Sequence, residues 1–132
     1  MEKPAKSEVT GFRRRILVVE DNEINQSLIK VILEKMNQDV DIAGNGLEAI
    51  SILKKKDFDI IFMDIEMPEL DGISTVKILR NDLHMEIPVI ALTANSDPAD
   101  IKSCLMAGMN DIMTKPYSKL DFTNILNKWV GG

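Results

Sequence analysis

The run Ile60-Ile61-Phe62-Met63, closed by Asp64 and followed by Ile65-Glu66-Met67-Pro68-Glu69-Leu70-Asp71-Gly72, decides how this chain is read. Consecutive apolar residues that stop at a carboxylate describe a short strand buried on both faces, as found in parallel sheets covered by helices. The run falls far short of the ~20 residues that cross a bilayer. The pattern from residue 71 to residue 80 predicts a helix behind it.

Outward from this unit the same alternation repeats. Strands are expected at residues 16–19, 40–43, 60–63, 89–92 and, more briefly, 111–113, each buried on both faces. Apolar residues recurring every three or four positions predict a helix after each strand. The first carries Ile24, Leu28, Val31, Ile32 and Lys35 on one side, with Asn22 as N-cap and Asn37 as a left-handed stop. The second spans 45–56 with Leu47, Ile50 and Leu53 inward. The third spans 71–80. The fourth opens on Asp97-Pro98, lays down Ile101, Cys104 and Leu105, and ends at Gly108. The fifth starts at Ser118 and buries Phe122, Ile125, Leu126 and Trp129. The fold class is α/β: a doubly wound, five-stranded parallel sheet of the flavodoxin-like order 2-1-3-4-5, with five helices.

Composition narrows the function. The 132 residues suit one domain, and 45% hydrophobic content with 5% aromatics predicts a core of Ile, Val, Leu and Met. A net charge of -5 disfavours binding to nucleic acid. The lone Cys104 forms no internal disulfide, no segment reads as a signal peptide, and a cytoplasmic setting without direct membrane contact is expected. Residues 1–15, with Lys3, Lys6 and the run Arg13-Arg14-Arg15, read as a flexible tail or linker ahead of a domain at 16–130.

Ligands of such sheets bind outside the carboxyl ends of the strands. The first strand ends in Glu20 and Asp21, the third in Asp64, the fourth in Thr93, and the fifth runs into Lys115-Pro116. With strands one and three adjacent, three carboxylates share a small volume, and a hard divalent cation such as Mg²⁺, with Mn²⁺ as substitute, is the usual compensation. Phosphoryl transfer needs in-line positioning and positive charge around the equatorial oxygens. The metal, the Lys115 ammonium, and the Thr93 hydroxyl with the backbone N–H after Asp64 supply it. Asp64 is the candidate nucleophile.

On these residues the chain resembles a response-regulator receiver domain over residues 16–130. The carriers are Glu20-Asp21, the stretch Met63 through Gly72, Leu92-Thr93-Ala94, Ala107-Gly108 and Lys115-Pro116. The resemblance implies that Asp64 is the phosphoacceptor in a phosphorelay. It implies Mg²⁺ ligation by Asp21, Asp64 and the backbone carbonyl of Glu66, with Glu20 acting through water. Thr93 and Lys115 match the switch and phosphate-contacting residues, and the Lys115-Pro116 bond is expected to be cis. Partners implied are a histidine kinase or a histidine phosphotransfer domain, with phosphorylation-dependent self-association. Asp21-Asn22-Glu23-Ile24-Asn25 and Ala91-Leu92-Thr93-Ala94-Asn95 are similar to receivers of hybrid histidine kinases, membrane-bound ones included. A free-standing single-domain regulator is the alternative. Ile112 departs from the family, where an aromatic switch residue is common three positions before the lysine.

Rival readings explain less. A haloacid-dehalogenase phosphatase also uses an aspartyl nucleophile, but on its first strand and in a longer chain. A flavodoxin-like cofactor binder needs a donor-rich loop where this chain has Glu20 and Asp21, which repel phosphate. A receiver-shaped module without phosphorylation has no need of the complete rim. His84 reads as a surface residue and Cys104 as a buried thiol. Met36, Met63 and Met113 belong to the core, and Met106 and Met109 to a more exposed face. Glu66 and Asn95, each two residues beyond a rim residue, are placed to govern a hydrolytic water.

Overall fold

The Ile60–Asp64 strand lies in the middle of a five-stranded parallel sheet. A computed structural model describes residues 13–67, 70–94 and 97–131. The elements run β1 (Arg15–Val19), α1 (Glu23–Lys35), β2 (Asp39–Ala43), α2 (Gly46–Leu53), β3 (Ile60–Asp64), α3 (Gly72–Asn81), β4 (Val89–Thr93), α4 (Pro98–Ala107), β5 (Asp111–Thr114) and α5 (Lys119–Val130). The sheet order is β2-β1-β3-β4-β5, as expected from the sequence. Registers such as Val19↔Met63, Asp64↔Leu92 and Thr93↔Thr114 bring the strand ends into line.

Strand alternation sorts the core into two layers. Ile16, Val18, Ile60, Phe62, Ile90 and Leu92 point to one side, where Ile29 and Leu33 of α1 and Phe122 and Leu126 of α5 cover them. Leu17, Val19, Ile61, Met63, Val89 and Ala91 point to the other, against Ala49 and Leu53 of α2, Val76 and Leu79 of α3, and Cys104 of α4. Full burial on both faces holds for β3 and β4, and for β1 beyond Arg15. The edge strands β2 and β5 depart from it, because each has a neighbour on one side only.

The helix starts follow their caps. Asn22, Asn45, Asp71, Asp97 and Ser118 each accept a backbone N–H of the first turn. Asn37 and Gly108 take positive φ at 65° and 114°, as their stop roles require. Arg80 fastens the second stop by donating to the Gly108 carbonyl from Nε and Nη2, at 3.0 and 2.9 Å.

Several inward-facing assignments are corrected. In α1 the buried side chains are Ile29 and Leu33, followed by Met36, whereas Ile24, Leu28 and Val31 are 78, 51 and 49% exposed and Lys35 is exposed. This helix is apolar on two sides, and its rotation is set by which side the sheet admits. Leu47 and Leu105 likewise face solvent, displaced by the smaller Ala49 and Ala107 that allow close approach. Met109 is buried rather than exposed, while Met106 is exposed as expected. The second helix ends at Leu53 instead of running to residue 56. Within the basic run Arg15 opens β1, Arg13 pairs with Asp39 at 2.6 Å, and the Arg14 guanidinium donates to the Val130 carbonyl. Residues 1–12 lie outside the described residues. Among the described residues no helix is long and apolar enough to cross a membrane.

Candidate metal centre at the strand ends

Glu20 follows the last residue of β1 and is held in place from three directions. Its N–H donates to the Ala43 carbonyl at 3.0 Å, its own carbonyl accepts from Gln26 Nε2 at 2.6 Å, and its Oε2 accepts from the Asn22 N–H at 3.1 Å. It is 1% exposed, whereas its neighbour Asp21 faces solvent. Asp64 closes β3 and is 8% exposed. Its Oδ1 accepts the Glu66 N–H at 3.0 Å, a bond that turns the chain back across the strand end.

The two adjacent strands thus bring Glu20, Asp21 and Asp64 together, with one carboxylate oxygen from each lying within 4.8 Å of the others. Burial is the largest cause of a shift that carries the Asp64 carboxyl from 3.8 up to about 7. The Glu66 N–H opposes it, Glu20 adds to it by charge and by hydrogen bonding, and the Lys115 charge works against it. Asp64 ionises reluctantly because it is buried, and the charge of Glu20 adds to the effect.

The other rim residues close the far side. Thr93 is buried at the end of β4, and its carbonyl accepts the Lys115 N–H at 2.9 Å. Lys115 stays exposed, acts on Asp64 as a through-space charge, and precedes a cis proline as expected. Gly72, at the start of α3, packs so tightly behind Asp64 that a Cβ would sit 2.5 Å from the Asp64 carbonyl oxygen and 2.8 Å from the Ile65 Cα. This close approach explains a glycine one residue after the Asp71 cap.

All six rim residues singled out in the sequence, Glu20, Asp21, Asp64, Glu66, Thr93 and Lys115, lie at the carboxyl ends of β1, β3, β4 and β5 or just beyond them. Asn95 lies outside the described residues, as do Pro68 and Glu69. Ile112 packs half-buried against the α2–α4 layer, paired across the sheet with Ala91. His84 is exposed, and burial pushes the Cys104 thiol up, with Asp100 adding to the shift. Tyr117 had no signal in the sequence pattern, yet burial and then the charges of Glu20 and Asp64 push its hydroxyl up.

The donor set suits a hard divalent cation. It is all oxygen, and it gathers three carboxylates, two of them buried, in one small volume.

Comparison with known proteins gives the same family as the rim. The response regulator receiver domain family matches residues 16–127. The chain is 38% identical over 121 residues to the osmosensing histidine protein kinase SLN1 of Saccharomyces cerevisiae, covering 87% of this chain and 10% of that protein. It is also 38% identical to hybrid signal transduction histidine kinase E of Dictyostelium discoideum, covering 93% of this chain and 8% of that protein. The chain therefore spans only a small part of these relatives. Among solved structures, the receiver domain of the Pseudomonas aeruginosa sensor histidine kinase PA1611, with magnesium in its active site cleft, superposes with a TM-score of 0.82 at 36% identity, covering 92% of this chain and all of that one. A chain in the co-crystal of the Saccharomyces cerevisiae phosphotransfer protein Ypd1 with the receiver domain of Ssk1 gives 0.82 at 31%, covering 89% of this chain and 88% of that one.

Proposed function

The chain belongs to the response regulator receiver domain family, and from that premise we propose that it accepts a phosphoryl group from a phosphohistidine onto Asp64. The observation that carries the proposal is the convergence of the Glu20, Asp21 and Asp64 carboxylates at adjacent strand ends, with Lys115 acting on the same group.

In this reading Asp21, Asp64 and the Glu66 backbone carbonyl hold Mg²⁺ and Glu20 acts through water, with Mn²⁺ able to substitute. When bound, the cation supplies positive charge that keeps Asp64 ionised near neutral pH and offsets charge on the phosphoryl oxygens. An Asp64 carboxylate oxygen attacks phosphorus, the new P–O bond forms as the P–N bond to imidazole breaks, and the leaving imidazole takes up a proton. The Glu66 N–H keeps the carboxylate oriented through Oδ1. Lys115 and the Thr93 hydroxyl receive phosphoryl oxygens, and Thr93 passes the change to the loop after β4. Because Ile112 replaces the usual aromatic, that passage runs through backbone rather than through a ring.

The exposed apolar stripe of α1 supports a protein partner. Ile24, Leu28 and Val31 share one face at helical spacing, directly after the acidic pair. A histidine phosphotransfer domain or a kinase would present its phosphohistidine to the rim from this side. Phosphorylation-dependent self-association and a cytoplasmic location belong to the same reading. So does a place within a hybrid histidine kinase, with a free-standing regulator as the alternative.

The test is transfer from a phosphorylated histidine phosphotransfer domain in Mg²⁺. Loss of label from the donor with gain on this chain, abolished by chelation and by Asp64→Asn, is expected. Transfer that survives Asp64→Asn would overturn the assignment.

A further inference from the structure

Among the described residues, two buried polar atoms at the rim lack a hydrogen bond: Glu20 Oε1 and the hydroxyl oxygen of Tyr117. A buried donor or acceptor left unpaired is costly, and solvent does not reach either atom. One is an acceptor and the other carries a donor, so each can satisfy the other.

The fold brings the phenol there by a local route. Tyr117 immediately precedes Ser118, the N-cap of α5, which forms a reciprocal capping box with Asp121. A ring at that position meets the residue one turn into the helix, and Tyr117 packs edge-on against Phe122 with centroids 5.9 Å apart. Phe122 packs in turn against Phe62, two residues before Asp64, at 5.1 Å. This chain of rings ties the Tyr117 ring through Phe122 to Phe62 of β3. Burial first, and then the charges of Glu20 and Asp64, push the phenol well above its ordinary pKa.

We propose that the Tyr117 hydroxyl donates to Glu20 Oε1 and is a positioning residue of the acidic centre, fixing the Glu20 carboxylate behind the metal site. Oε2 is already held by the Asn22 N–H, so a bond at Oε1 fixes both oxygens. The role in metal binding rests on the Mg²⁺ site proposed above, whereas the bond itself does not.

Tyr117 is the single tyrosine of the chain, so a carbon-13 label at the tyrosine ζ carbon gives one resonance. In the metal-free protein the hydroxyl proton should exchange slowly, and Glu20→Gln should move the resonance. A resonance unmoved by Glu20→Gln, with hydroxyl exchange at the bulk rate, would overturn the bond. Calorimetric titration of Tyr117→Phe with Mg²⁺ should show a Kd raised about tenfold, in the range seen on removing partners of metal ligands. A wild-type Kd in that variant would overturn the positioning role. Failure of wild-type protein to bind Mg²⁺ would overturn the role together with the metal site, and the metal-free spectrum still decides the bond.

Discussion

Replacing Asp64 with Asn should stabilise the metal-free protein, although it removes the residue on which the proposed function depends. The Asp64 carboxyl is raised from 3.8 to about 7, chiefly by burial and then by Glu20. Because the folded value lies above the unfolded one, protonated Asp64 favours the fold. That contribution is fully present below about pH 4 and is lost as pH rises through about 7. At about 1.4 kcal/mol per unit the full shift corresponds to about 4 kcal/mol, and some water entry around the ionised group reduces it to about 2–4 kcal/mol. Asparagine keeps an oxygen to accept the Glu66 N–H, so the turn after β3 retains its bond at 3.0 Å. Urea unfolding in a chelator should therefore show the variant more stable by about 2–4 kcal/mol at about pH 8, with the gap closing towards about pH 4. Saturating Mg²⁺ should shrink or reverse the difference, since the ligand stabilises the protein that binds it better. Equal or lower stability of Asp64→Asn at about pH 8, with an unchanged denaturant slope, would show that ionising Asp64 in the fold does not carry the cost that its burial and Glu20 imply.

Three further outcomes follow from the same geometry. Asp21→Asn should weaken Mg²⁺ binding and reduce the metal-induced rise in melting temperature, and an identical titration would remove Asp21 from the site. Gly72→Ala forces a Cβ to within 2.5 Å of the Asp64 carbonyl oxygen and should cost about 1–3 kcal/mol in urea unfolding, so a neutral result would contradict the close packing behind Asp64. Ile24→Glu with Leu28→Glu, both at exposed positions of α1, should leave the melting temperature within a few degrees of wild type while slowing transfer from a phosphorylated histidine phosphotransfer domain at least tenfold; an unchanged rate would place docking on another face.

Much of this architecture is legible in the sequence, because a buried strand announces itself and so does the polar residue that ends it. Asp64 after Phe62-Met63, and Thr93 after Leu92, mark where the sheet stops. The doubly wound order then puts β1 beside β3, and the acidic centre follows. The rotation of α1 is not legible in the same way. Ile24, Leu28 and Val31 fit the helical period as well as Ile29, Leu33 and Met36 do, and only packing against Val18 and Phe62 selects the second set. Tyr117 is hidden for another reason. Its ring packs on Phe122 of α5, which packs in turn on Phe62 of β3, and nothing in Lys115-Pro116-Tyr117 states where the ring will point.

The central claim is that Asp64 is the nucleophile of a metal-assisted phosphoryl transfer. Intact-mass measurement after incubation with acetyl phosphate and Mg²⁺ tests it most directly. One phosphoryl group should be added, lost on treatment with hydroxylamine as an acyl phosphate is, and absent when a chelator is present or Asp64 is replaced by Asn. A phosphoryl group that still forms in Asp64→Asn, or that maps to His84, would contradict the account.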